Sequence, residues 1–372
     1  MADPKNKKQH FVPQHYLRHF CDEKEIGIAA LDPYRFIGRD KIKNHCQANY
    51  FYRHNGTDSA DDWLRYVEQT SASVIREIAK RRTMSVEELV GMRMLTVIFY
   101  LRTRKAAEIA KQFPKYWADV VLKDGIDKGE LREPEEGWRP GLMDFEGVSG
   151  MLFKNNLVPN FMEMETLHYK FLTPSEGSNK LFYTSDHPVI LMNQLLDRRG
   201  SGRSFSGFGR SGFQLVFPLS PTSCLFFYDP QVYKVGNRKT SIVPIGSNDI
   251  DLLNSLQIQS ADKCLLFEPR THQSEVGKLM NRFQYLRLPV GAHLERQQIQ
   301  GDSEELIRSF NSMTILPSPW SFCKKVKHPK VGPNYRRNES WTEYCQLVAD
   351  EFDRDPSDLD GALIRAEAKY IK

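Results

Sequence analysis

The spacing of apolar and polar positions changes character three times along this chain. Over residues 26–52 it is extended. Ile26-Gly27-Ile28-Ala29-Ala30-Leu31 reads as a strand, Asp32-Pro33 starts a turn, and Tyr50-Phe51-Tyr52 reads as a short aromatic strand before the Asn55-Gly56 turn signal. Over residues 58–81 the apolar positions Trp63, Leu64, Val67, Val74, Ile75 and Ile78 share a helical period with Ser71. A second helix is predicted from a Ser85/Glu88 capping box to about residue 110, with 115–123 extending it or forming another. Residues 123–150, rich in Gly, Pro and charge, read as a long loop. After Met151 strands return, at 167–172, 181–184, 189–191, 213–218, 224–228 and 264–268, with a helix at about 247–261. The Gly/Ser-rich segment 200–212 reads as a mobile loop. Helices recur at about 302–312, 340–352 and 357–369.

Strands and helices are segregated, not alternating, which predicts an α+β fold. Its expected form is an N-terminal extended segment and a helical layer packed on a mixed or antiparallel β-sheet, with a C-terminal helical tail. The expected division is a core over 1–290 (helical at 58–122, sheet-rich at 165–290) and a basic, helical extension over 291–372.

Composition narrows the class. The chain has 372 residues, 40% of them apolar and 11% aromatic, enough for a sizeable core. No run of eighteen apolar residues occurs, so no transmembrane helix and no membrane partner is expected. The polar start Met1-Ala2-Asp3-Pro4-Lys5 leads into no hydrophobic segment of the signal-peptide kind. Six scattered cysteines (Cys21, Cys46, Cys224, Cys264, Cys323 and Cys345) without a Cys-x-x-Cys point to reduced thiols in a cytoplasm. The net charge of +5 is mild. Its distribution is more telling: Lys324, Lys325, Lys327, Lys330, Arg336 and Arg337 lie in a stretch with no acid from Cys323 to Asn338. Such a stretch is either a solvated linker or a phosphate-binding segment for nucleic acid. An acidic patch follows at Asp350–Asp360.

Three polar islands are candidates for chemistry. The first is the opening segment His10-Phe11-Val12-Pro13-Gln14-His15-Tyr16-Leu17-Arg18-His19-Phe20. With Pro13 as the first helical residue, His15 and His19 stand four apart, a spacing that suits a metal. The second is a pair. Glu68 lies four residues after Leu64 and seven before Ile75, and Arg102 follows Leu95 by seven and Ile98 by four, so both face inward. They form a structural salt bridge, or a pocket where Arg102 binds an anion and Glu68 serves as base or metal ligand. The third is Ser185-Asp186-His187-Pro188 between two strands, an acid–base or ligand pair or simply a turn. No Gly-x-Ser-x-Gly, His-Glu-x-x-His or dinucleotide fingerprint occurs.

Together these blocks resemble a bacterial and phage domain-of-unknown-function family, numbered four-two-three-eight. His10 to Gln14 with Tyr16, Leu17, Arg18 and Phe20 resembles its opening signature, and Asn49-Tyr50-Phe51-Tyr52 its second block. Glu68 and Arg102-Thr103-Arg104 resemble its helical middle. Thr184-Ser185-Asp186-His187-Pro188-Val189 resembles its strand motif, which usually has Asn where this chain has His187. Phe217-Pro218-Leu219-Ser220-Pro221 and Leu253-Asn254 resemble its last blocks, the whole spanning roughly residues 9–290. The resemblance carries no activity. It implies that His10, Gln14, Tyr16, Glu68, Arg102, Asp186 and Asn254 belong together, with His15 and His19 as helix-surface or packing residues.

Two functions follow as expectations. In the first, His10, Glu68, Arg102 and Asp186 form a catalytic pocket that hydrolyses a phosphodiester, with Gln14, Tyr16 and Asn254 binding substrate and a divalent metal as the cofactor to consider. The bacterial and phage setting suggests, by analogy, a toxin or antiphage effector. In the second, the cluster is structural, and the basic stretch grips nucleic acid or an acidic protein partner, or the chain self-associates. An open cleft favours the first and buried, mutual pairing the second.

Overall fold

The computed structural model describes residues 7–52, 59–109, 126, 129, 157, 160–197, 207–287, 292–298, 304–310, 314–325 and 365. The chain opens with β1 (Lys8–His10) and α1 (Gln14–Leu17), then β2 (Glu25–Leu31), β3 (Tyr34–Lys41) and β4 (Gln47–Asn49). Two long helices follow, α2 (Ser59–Arg81) and α3 (Val86–Leu101). Next come β5 (His168–Pro174), β6 (Thr184–Ser185), β7 (Ile190–Met192), the short α4 (Gln194–Asp197), β8 (Gln214–Ser220) and β9 (Ser223–Tyr228). The chain continues through β10 (Tyr233–Val235), β11 (Ile242–Ile245), α5 (Ser247–Ser260), β12 (Cys264–Phe267) and α6 (Gln273–Phe283). Two-stranded pieces close it: β13 (Ala292–Gln298), β14 (Glu304–Phe310) and β15 (Cys323–Lys325). The fold is α+β; of the expected C-terminal helical tail beyond residue 325 only Arg365 is described, and it is helical.

The centre is a five-stranded sheet in the order β11-β5-β9-β8-β7, parallel only between β11 and β5. Both faces of β8 and β9 are buried, which explains their nearly unbroken apolar sequence. Alternate residues divide between two cores. Leu215, Phe217, Leu219, Leu225 and Phe227 face α2, α3 and the N-terminal segment. Val216, Cys224, Phe226 and Tyr228 face Ile250, Leu253 and Leu256 of α5, along with Trp320 and Phe322. Burying each such Phe or Leu contributes on the order of 1.5–3 kcal/mol.

A four-stranded antiparallel sheet, β3-β2-β12-β6, sits beside it and is covered by α6 through Val276, Leu279, Met280 and Phe283. Gly27 of β2 is required there, because a Cβ would lie 2.4 Å from the Phe267 ring. The segment Thr184–Met192 runs from one sheet into the other, β6 belonging to the second and β7 to the first. The Asp186-His187-Pro188 corner therefore stands where the two sheets meet.

Several expectations need correction. Residues 304–310 form a strand paired with β13, not the helix expected at about 302–312. Tyr50-Phe51-Tyr52 is a turn rather than a strand, with Tyr50 at φ 53°, and the pairing is made just ahead by β4. The helix expected to run on to about residue 110 ends at Leu101 and resumes at 104–109. Pro13 caps α1 from outside, and α1 passes after one turn into a 3-10 turn at Arg18–Phe20. The Ser85/Glu88 capping box is present in both directions. The expectations at 55–56, 115–123, most of 123–150, 200–206, 340–352 and most of 357–369 fall outside the described residues. No helix among the described residues is long and apolar enough to cross a membrane.

Candidate functional site

The polar residues gather around the interruption between α3 and the helical run at 104–109. Arg102 caps α3, its amide donating to Ile98 O. Thr103 starts the next helix in the manner of an N-cap, its Oγ1 accepting from Ala106 N at 3.3 Å. Four successive side chains then reach four different parts of the fold: Arg102 to the N-terminal segment and α2, Thr103 to His187, Arg104 to Asp262, and Lys105 to the end of α5.

On the first side, the Arg102 guanidinium is 2% exposed. Its Nη2 donates to Glu68 Oε1 at 2.6 Å and to the His10 carbonyl oxygen at 2.8 Å. Its Nε donates to the Tyr52 hydroxyl, which in turn donates to Arg102 O at 3.0 Å. Burial works against this cation. The Tyr52 and Glu68 oxygens more than restore it, so its pKa lies above the usual arginine range. Gln14 Nε2 lies 3.3 Å from His10 Nε2, and His15 Nδ1 is 4.0 Å from Glu68 Oε2. His10, Gln14 and Glu68 are half-buried.

On the second side, Asp186 is 3% exposed and accepts from three consecutive backbone amides: Asp262 (2.8 Å), Lys263 (2.6 Å) and Cys264 (3.2 Å). Burial and the neighbouring Asp262 push its pKa up to about 6, against the pull of those amides. His187 shares a 2.6 Å hydrogen bond between its Nδ1 and Thr103 Oγ1, and burial and Lys105 hold it well below the ordinary histidine range. The Lys105 ammonium is buried, donates to Ser260 O at 2.8 Å, and is lowered to about 8 by burial and Arg287.

Two further residues expected at the site lie elsewhere in the core. Tyr16 is fully buried, its hydroxyl donating to Pro218 O at 2.6 Å and lying 2.7 Å from Thr184 Oγ1. Asn254 of α5 accepts from Tyr183 N and donates to Leu181 O, holding the segment that leads into β6 and Asp186. The fold thus brings together His10, Gln14, Glu68 and Arg102, while the hydrogen bonds of Asp186, Tyr16 and Asn254 go elsewhere. His19 Nδ1 lies 2.9 Å from the Leu219 carbonyl oxygen, and His15 stands edge-on to Phe99. No three His, Cys, Asp or Glu side chains among the described residues come together as a metal-ligand set.

Tyr52, Thr103, Lys105 and Asp262 were not anticipated as site residues. Thr103 carried the one available signal, a helix-capping residue within an apparently continuous helix.

The architecture is that of an α+β protein whose polar motifs meet at a helix break beneath two sheets. The family described as protein of unknown function (DUF4238) matches residues 8–271, and this chain belongs to it. No curated protein and no solved structure matches the chain.

Proposed function

We propose that this protein is a non-catalytic nucleic-acid-binding module in which the family's polar cluster is architectural. The observation that supports this is how Asp186 is used. Its carboxylate is buried and accepts from three backbone amides, leaving it poorly placed to orient a histidine or meet a substrate. Arg102 is likewise enclosed by Glu68, Tyr52 and the His10 carbonyl. Binding then falls to the basic stretch, of which Lys324 and Lys325 are described and exposed, while Lys327, Lys330, Arg336 and Arg337 lie outside the described residues. On this reading the 291–372 extension is anchored to the 1–290 core by residues 314–325, whose Trp320 and Phe322 pack into it. A cytoplasmic setting belongs to the same reading, since all five described cysteines are free thiols. The test is oligonucleotide binding by the intact chain over a range of salt. A steep loss of affinity with salt is expected, and an absence of binding at low salt would overturn the reading.

One observation favours the second reading, a phosphodiester hydrolase of the nuclease-effector kind. His10, Gln14 and Glu68 remain half-exposed beside a buried arginine, a set able to hold a phosphate and move a proton. Cleavage of an oligonucleotide by the wild-type chain, with and without added Mg²⁺, is its direct test.

A further inference from the structure

The strand β15 that carries Lys324 and Lys325 pairs antiparallel with β10, placing Lys324 directly opposite Lys234. The ribbon is one-sided. Tyr233, Val235 and Cys323 pack into the core beneath α5, while Lys234 and Lys324 are exposed on the opposite side; Lys325, the register partner of Tyr233, is exposed at the strand's end. Two like charges facing each other across a strand pair destabilise it. Among the described residues neither Lys234 nor Lys324 has an ion-pair partner.

The turn after β10 adds to the same charge. Gly236 leaves the strand at φ 55°, its amide donating to Phe322 O of the neighbouring segment. Arg238 and Lys239 then stand exposed in the turn, likewise without an ion-pair partner among the described residues. This turn is held from below by a buried lysine. Lys170 of β5 is 6% exposed, and its ammonium donates to the carbonyl oxygens of Asn237 and Thr240. The Lys239 amide donates to Asn237 Oδ1, closing the loop on itself. Nearby, His168 is lowered first by burial and then by Lys170, Arg238 and Arg93, against the opposing pull of Asp229. The cations are thus presented on a preorganised surface, which reduces the ordering cost of binding.

We propose that the β10–β15 ribbon and the turn at residues 237–240 form one rigid face that contacts the phosphate backbone of a nucleic acid, with Lys234, Arg238, Lys239 and Lys324 as its contacts. This rests on the nucleic-acid-binding reading and assigns that function a surface outside the 326–338 stretch. Two features favour this occupant. The charge is spread along a ribbon and continues in sequence to Arg337 with no acid before Asn338, which suits an extended polyanion better than a point ligand. None of the exposed large apolar side chains of the described residues (Ile37, Trp63, Tyr66, Val86, Val90 and Tyr285) belongs to β10, β15 or the turn at residues 237–240, so these elements supply no apolar anchor of the kind a lipid surface takes.

The experiment compares the full chain with two variants by fluorescence anisotropy on labelled single- and double-stranded oligonucleotides. One variant is Lys234→Ser/Arg238→Ser/Lys239→Ser, first shown to melt with the wild type. The other is Lys327→Ser/Lys330→Ser/Arg336→Ser/Arg337→Ser. The first is expected to bind about tenfold more weakly, with the slope of log affinity against log salt shallower by about 0.9 per lost duplex contact and about 0.7 on single strands. Wild-type binding by the first variant, with binding lost only in the second, overturns this inference and leaves the module reading standing. An absence of wild-type binding overturns both. Binding of polyglutamate, or of anionic phosphatidylserine vesicles, in preference to the oligonucleotides assigns the face to an acidic protein or a membrane and overturns the nucleic-acid assignment.

Discussion

Arg102 and Glu68 form an asymmetric pair: their side chains meet at 2.6 Å, but the arginine is 2% exposed and the glutamate 27%. Removing either partner leaves the other in a different medium. Glu68→Ala strands a buried guanidinium and should cost about 3–5 kcal/mol. Arg102→Met leaves a carboxylate that can turn to water, and should cost less. The double variant should be no less stable than Glu68→Ala alone, because it removes the uncompensated charge. Urea denaturation of the three variants gives the coupling directly. Additive losses would mean that the two side chains do not act as a pair.

The three amides that converge on Asp186 lead to a second prediction. In Asp186→Asn the side-chain amino group must face at least one of the N–H groups of Asp262, Lys263 and Cys264. One buried donor left unpaired costs about 1–3 kcal/mol. Hydrogen exchange at these amides should quicken ahead of exchange in β8 and β9. Unchanged protection would show that the carboxylate does not hold this turn.

His15 makes the chain sensitive to acid. Its ring is largely buried beside Phe99, its Nε2 has no hydrogen-bond partner, and burial, Arg102, His19 and Arg18 lower its pKa to about 3. The folded pKa lies below the unfolded one, so between about 6.5 and 3 the unfolded chain binds a proton that the native chain refuses. The stabilisation is present above pH 6.5 and is lost as pH falls. This residue alone contributes a slope of up to about 1.4 kcal/mol per pH unit. In unfolding free energies measured at pH 7, 6 and 5, wild type should lose stability relative to His15→Gln as pH falls. Parallel curves would refute the assignment.

The sequence showed much of this framework, for identifiable reasons. Helical periodicity put Glu68 and Arg102 on inward faces, and two such groups in one core have little choice but to pair. The apolar runs at 213–218 and 224–228 marked β8 and β9 as strands, and the structure adds that both of their faces are covered. The break at Arg102–Thr103 was hidden because Arg102 to Ala107 contains neither Gly nor Pro, and every residue tolerates a helix. Contacts to His187 and Asp262 accompany the break, and these are distant in sequence. Residues 304–310 misled for a related reason. Glu304, Glu305 and Leu306 are good helix formers, and pairing with β13 overrides that local preference. The role of Asp186 was invisible because its partners are backbone amides, which any residue supplies.

The choice between module and hydrolase turns on His10. Its link to Arg102 runs through the backbone carbonyl, which His10→Ala retains, so the variant should fold with stability within about 1 kcal/mol of wild type. If the polar cluster is architectural, His10→Ala binds oligonucleotide with wild-type affinity and the same salt slope. If the cluster is catalytic, the wild type cleaves the oligonucleotide and His10→Ala does not, while melting at the same temperature. Binding and cleavage measured on one preparation, with melting as the control for folding, separate these outcomes. Cleavage lost on an intact fold would transfer the function from the basic ribbon to the half-exposed edge formed by His10, Gln14 and Glu68.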